Sequence, residues 1–197
     1  MPMIPALLLI LAAVAYRIVT GFAIDSGSTW LSNFAPLAAI ALCGAVYFPP
    51  KLKFSVPLVA LFLSDVVLNA HYGAPLLVPL IVCRYFALAL ICWFGWTIAD
   101  RPSWKTLLPA SLAGSTLFYV ITNAFSWLSD PGYAKNFAGL IQALTVGLPQ
   151  YSATPSWMFF RNSVVSDLLF TGLFVLCMHF VRSSERARAA SVLPHTA

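Results

Sequence analysis

Long apolar runs constrain this chain more than anything else in it. The first, residues 4–24, contains one charge, Arg17. A helix needs about 20 mostly apolar residues to cross the hydrocarbon core of a bilayer. Six candidate helices follow, at 4–24, 34–49, 54–70, 76–99, 106–128 and 156–182, with the second and third short for full spans. The stretch 136–150, with Phe137, Leu140, Ile141, Leu144 and Val146 ahead of Pro149, reads as an additional interfacial or re-entrant helix. Only 9% of residues are charged, against about 25% in soluble domains. That excludes a soluble globular or disordered chain, and the absence of strand-period alternation excludes an outer-membrane barrel. The expected fold class is all-α: one polytopic six-helix transmembrane domain over 1–197, its last residues, 183–197, a cytoplasmic tail.

The basic residues orient the bundle. Lys51 and Lys53 lie between helices 2 and 3, Arg101 and Lys105 between helices 4 and 5, and Arg182, Arg186 and Arg188 after helix 6. The opposite loops hold only Lys135. The positive-inside rule then places both termini in the cytoplasm. A net charge of +5 spread this thinly is a topology signal and makes no nucleic-acid face. The alternative for residues 4–15, a signal peptide cleaved near Ala13-Val14-Ala15, lacks the Lys or Arg that should precede the apolar run, and it leaves the other helices' orientation unchanged. The four cysteines (Cys43, Cys83, Cys92, Cys177) all fall in apolar runs, with no C-x-x-C pair.

A charge at mid-helix costs about 2.5–3.5 kcal/mol on insertion scales, so the depth of polar groups is informative. In this topology Arg17, Asn33, Asp65, Asn69, Cys83, Arg84, Tyr85, Asn123, Arg161 and Asn162 fall in the outer half, His71 and Tyr72 in a short outer loop, and Asp167 near mid-span. The inner halves carry cysteines, small residues and aromatics. This pattern describes a cup open to the outside and plugged below, whereas a channel needs a polar path through both leaflets. Each group also has a purely structural reading. Asp65 with Arg84, or Asp167 with Arg161, can be pairs that hold helices together, and the asparagines can be interhelical hydrogen-bond partners. The spacings Ala35–Ala39 and Ala41–Ala45 permit close helix packing. Trp30, Trp104, Trp127 and Trp157 suit an interfacial belt.

Several chemistries fail on the residues present. An intramembrane serine protease needs a G-x-S-x motif and a helical histidine, and His179 is the one histidine expected within a helix, at its cytoplasmic end. A thiol oxidase needs paired outer cysteines, and a nucleotide-driven motor needs a P-loop; neither pattern occurs. No internal repeat of the kind found in secondary transporters is visible.

The run Asn33-Phe34-Ala35-Pro36-Leu37-Ala38-Ala39-Ile40-Ala41-Leu42, the phrase Leu63-Ser64-Asp65 and the six-helix plan resemble the substrate-binding S-components of energy-coupling-factor vitamin transporters. More narrowly, they resemble the solitary cobalamin-specific S-components of the BtuM family. The resemblance implies a multi-pass protein of the bacterial cytoplasmic membrane that binds cobalamin or cobinamide in an outward-facing pocket and transports it inward. It implies a cysteine as axial cobalt ligand, and Cys83 is the outer-half candidate. Arg84 beside it would favour the thiolate, and thiolate ligation would make reductive decyanation of the bound vitamin the one enzymatic step expected here. Asn33, Asp65, Asn69, His71, Arg84, Tyr85, Asn123 and Arg161 would line or brace the pocket, with loops 25–33, 71–75 and 129–155 as its lid. The partners implied are a corrinoid, membrane lipid and a shared energising module. Helix 1, with Ala6, Ala12, Ala13 and Ala15, lacks the Ala-x-x-x-Ala spacing by which many S-components dock on that module. The expected state is a monomer. The alternatives are an S-component for another vitamin or metal complex, and a scaffold subunit without a small-molecule ligand.

Overall fold

The computed structural model describes residues 3–25, 33–100 and 102–192. Among these there are seven helices and no strands: α1 (Met3–Asp25), α2 (Leu37–Tyr47), α3 (Ser55–Tyr72), α4 (Pro79–Thr97), α5 (Trp104–Ser129), α6 (Phe137–Thr145) and α7 (Ser156–Val192). Five are long and apolar enough to cross a membrane: α1, α3, α4, α5 and the Ser156–Glu185 part of α7. That is compatible with a multi-pass membrane protein. The expected bundle is all-helical as found, with α2 as a short sixth element and α6 realised over nine residues.

Local chemistry sets the boundaries. Pro36 stands at the N-cap of α2 and Phe48-Pro49-Pro50 follows it, so the helix is trimmed at both ends relative to the expected 34–49. Pro79 occupies the first turn of α4, where its missing N–H costs nothing, and delays the helix from the expected residue 76. Ser103 and Thr106 form a reciprocal capping box at the start of α5. The Asn136 side chain accepts from Gly139 N–H at 2.9 Å to open α6. Gly73, at φ 61°, ends α3 in the left-handed conformation. Because that stop comes after Tyr72, His71 lies in the last turn of α3, which corrects its expected loop position. The last helix continues to Val192, past the expected end at 182, since Ser183–Ala190 is polar yet rich in good helix formers. Arg101, Trp30 and the expected lid residues 26–32 lie outside the described residues.

The bundle is organised around α2. Ala38 through Tyr47 are all buried, and α1, α3, α4, α5 and α7 all pack against this short helix. Without a hydrophobic drive in lipid, helices associate where small residues let backbones approach. A side-chain carbon on Gly95 of α4 would meet the Leu42 carbonyl oxygen at 2.9 Å and Ala45 Cβ at 3.0 Å. On the third helix, Pro57 fills the space beside Gly44. The small-residue spacing in α2 therefore serves close packing, while the outward faces of the long helices expose Leu8, Leu11, Val59, Leu63, Val82 and Phe86, as suits lipid.

Chain direction defines two ends. The N-terminal ends of α2, α4 and α7 and the C-terminal ends of α1, α3 and α5 share one, where α6 packs on α5 and α7 (the α6 end). Lys51, Lys53 and Lys105 mark the other.

Candidate functional site

A cavity of about 420 Å³ occupies the α6 end, walled by α1, α3, α4, α5 and α7 and floored by the first turn of α2. Helical spacing explains which side chains reach it. On α3 the lining residues Asp65, Leu68, Asn69 and Tyr72 follow the i, i+3, i+4, i+7 stripe. On α4 Leu80 and Arg84 are one turn apart, and on α5 Ser115, Phe118, Tyr119, Thr122 and Ser126 repeat the same pattern.

Four charged side chains line the cavity: Arg17, Asp65, Arg84 and Asp167. Arg17 and Asp65 form a buried ion pair between α1 and α3, and Arg17 also donates to Ser64 Oγ. The second oxygen of Asp65 accepts from the Tyr85 hydroxyl at 2.8 Å. Arg84 reaches Asp65 at only 3.5 Å, and its side chain stays 31% exposed against 8% for Arg17. The Asp65–Arg84 pair weighed from sequence therefore exists as a loose contact, with Arg17 as the closer partner.

At the floor, the carboxylate of Asp167 caps α2. Its Oδ1 accepts from Ala39 N–H at 2.8 Å and its Oδ2 from the Ser115 hydroxyl at 2.7 Å. This satisfies orphan amides at a helix N-terminus, where negative charge is favoured. The alternative Asp167–Arg161 pair is not formed. Six residues along a helix put the two side chains on different faces, and Arg161 instead lies over the Trp157 ring at 5.7 Å and donates to Asn162 Oδ1. Below the floor, Thr171 and Ser111 hydroxyls meet at 3.0 Å. The lower half thus carries hydroxyls that the expectation of an apolar plug left out.

Of the sequence-derived candidates, Asn33, Asp65, Asn69, Arg84 and Asn123 line the cavity. Tyr85 touches it only through Asp65. His71 packs on Phe22 and Tyr72, with ring centroids 4.2 and 5.3 Å away, off the lining. Arg161 is likewise off it. Cys83 turns toward α5, its thiol 3.7 Å from the Ile121 carbonyl oxygen, and is not among the lining residues. Cys83 stands about 100° round the helix from Arg84, and here that rotation carries its thiol to α5 while Arg84 faces the cavity. The residues that sequence reasoning missed are Ser115, Tyr119, Thr122, Ser126 and Ser163. The four on α5 had a signal, a hydroxyl stripe at helical spacing, whereas Ser163 on α7 stands outside it. Among the described residues, no cluster of three or more His, Cys, Asp or Glu side chains could hold a metal ion.

No curated protein and no solved structure matches this chain. Residues 2–190, nearly its whole length, match a family of unknown function, DUF6580, and the protein belongs to that family.

Proposed function

We propose that this protein is a solute-binding membrane protein of S-component type, with six membrane helices, both termini in the cytoplasm and the α6 end outside. It takes a small polar solute from the outer face into the cavity and passes it inward. The observation that carries this reading is the asymmetry of the bundle. Polar side chains from five helices converge on one cavity at one end, and the buried, apolar α2 closes it beneath. Its volume of about 420 Å³ lies within the ordinary range for small-ligand sites, roughly 300–1,000 Å³. The testing experiment is to purify the chain in mild detergent, release its contents by heat, and identify co-purifying small molecules by mass spectrometry. The reading expects one compound in near-stoichiometric amount; a scaffold subunit would release none, and its stability would respond to no solute.

The corrinoid substrate expected from the resemblance is the more demanding form of this proposal. It asks the Cys83 thiol to leave the Ile121 carbonyl and turn toward the cavity. Visible spectra of the wild type and Cys83→Ala after cobinamide loading decide it. Shifted bands lost in the variant support cobalt–sulfur ligation, while a colourless wild type rejects a corrinoid and leaves the smaller solute.

A further inference from the structure

The donors and acceptors of the cavity wall specify its ligand more closely. A helical Ser or Thr commonly donates its hydroxyl hydrogen to the carbonyl one turn back, which commits its only donor and leaves its lone pairs. Thr122 does so to Phe118 at 2.8 Å and Ser126 to Thr122 at 3.0 Å. Asn69 and Asn123 likewise commit an amide N–H to the carbonyls of Asp65 (2.8 Å) and Tyr119 (2.9 Å). Their oxygens are left as acceptors, beside one remaining N–H on each. The α3–α5 wall is therefore rich in acceptors.

Arg84 is the opposite case. A guanidinium has five N–H donors, and among the described residues the one polar contact of Arg84 is the 3.5 Å approach to Asp65. The carboxylate of Asp65 is already held by Arg17 and Tyr85. Positive charge with unengaged donors thus faces the cavity from α4. Negative charge faces it separately at the floor, where Asp167 has no basic partner among the described residues. Two arginines and two aspartates leave the cavity without net formal charge. A simple anion would meet Asp167 and the acceptor wall, and a simple cation would meet Arg84.

On the reading that this cavity binds a solute, we propose that the solute is a small zwitterion of amino-acid to dipeptide size. Its carboxylate lies against Arg84, its ammonium against the Asp167 carboxylate at the floor, and its further N–H groups against Asn69, Asn123 and Thr122.

Thermal unfolding of the purified full-length chain in detergent tests this. The probes are the common amino acids and a set of dipeptides at millimolar concentration, their C-terminal amides and N-acetyl forms, and cobinamide and pyridoxine. At least one free zwitterion is expected to raise the midpoint. Amidation or acetylation of that compound, or Arg84→Gln, is expected to weaken it about tenfold or more, as loss of a charge-assisted contact implies. Arg84→Lys, which keeps the charge without the fork, should fall between. Because the amide and acetyl arms use the wild type, they stand even if Arg84→Gln folds poorly. An amide that stabilises as well as its parent, or stabilisation by cobinamide or pyridoxine alone, overturns the zwitterion and keeps the solute-binding reading. Stabilisation by none of the probes overturns the zwitterion, and if heat releases no compound either, the solute-binding reading falls with it.

Discussion

Arg17 on α1 and Asp65 on α3 meet as an ion pair with side chains only 8% and 3% exposed, directly beside the cavity. Breaking a buried pair by removing one partner leaves the other charge uncompensated, typically at about 3–5 kcal/mol. Arg17→Ala and Asp65→Ala should therefore each destabilise the protein by about 3 kcal/mol or more. An Arg17→Met/Asp65→Leu double variant should recover much of that loss, because apolar replacement of both partners removes the orphan charge. Denaturant titration of all three in detergent reads the effect. Additive losses in the double variant would mean that the pair acts through something other than mutual neutralisation.

Asp167 makes a different demand, since its partners are backbone and hydroxyl. Asp167→Ala strips the cap from Ala39 N–H and the acceptor from Ser115. Leaving buried donors unmet costs about 1–3 kcal/mol. Asp167→Asn keeps an acceptor oxygen and should lose less. Hydrogen exchange over Ala38–Ala41 is the direct readout: faster exchange in Asp167→Ala, near-native exchange in Asp167→Asn.

Helix contact around α2 gives a paired prediction. Gly95 has the Leu42 carbonyl oxygen 2.9 Å and Ala45 3.0 Å from where a Cβ would sit, while the nearest atom to Gly114 at the same construction is Ile91 at 3.4 Å. Gly95→Val should cost about 1–3 kcal/mol by overpacking. Gly114→Ala should be close to neutral, with glycine's conformational entropy offsetting the tight fit. Unfolding curves of the two variants test the order, and an equal loss would deny the close α2–α4 approach.

Outside the membrane helices, Asp130 ends α5 and accepts from Gly132 N–H at 2.7 Å. That bond, with a Tyr151 hydrogen bond and the Lys135 charge, holds its carboxyl below the usual carboxylate value. The native state thus favours the ionised form. Its contribution is fully present above the unfolded pKa of about 3.9 and is lost as pH falls through the lower folded value. The turn at 130–133 should loosen only under strong acid, and Asp130→Asn should bring that loosening to neutral pH. Amide exchange at Gly132, measured at pH 7 and below pH 4, checks both statements.

Much of this architecture was legible in the sequence because lipid leaves few options for a run of twenty apolar residues. The ends of α2 and α4 shifted where Pro36 and Pro79 set them, and α7 ran past the hydrophobic boundary because Ser183–Ala190 favours helix for reasons unrelated to hydropathy. The site was half legible. Charged and amide side chains stand out against an apolar background by their cost, so Asp65, Asn69, Arg84 and Asn123 were found. Hydroxyls such as Thr122 and Ser126 satisfy themselves on their own helix and leave little trace. Depth alone grouped Cys83, Arg84 and Tyr85, whereas rotation about the helix axis separates them.

The shortness of α2 has a consequence for how the chain is made. Eleven residues rise about 16 Å, half a bilayer, so this segment cannot hold a transmembrane position on its own. Its enclosure comes largely from α4, α5 and α7, all synthesised after it. The centre of the molecule is therefore among the last parts to settle. A nascent chain halted after α3 should leave residues 37–47 open to protease or thiol reagent, and only completion of α7 should seal them.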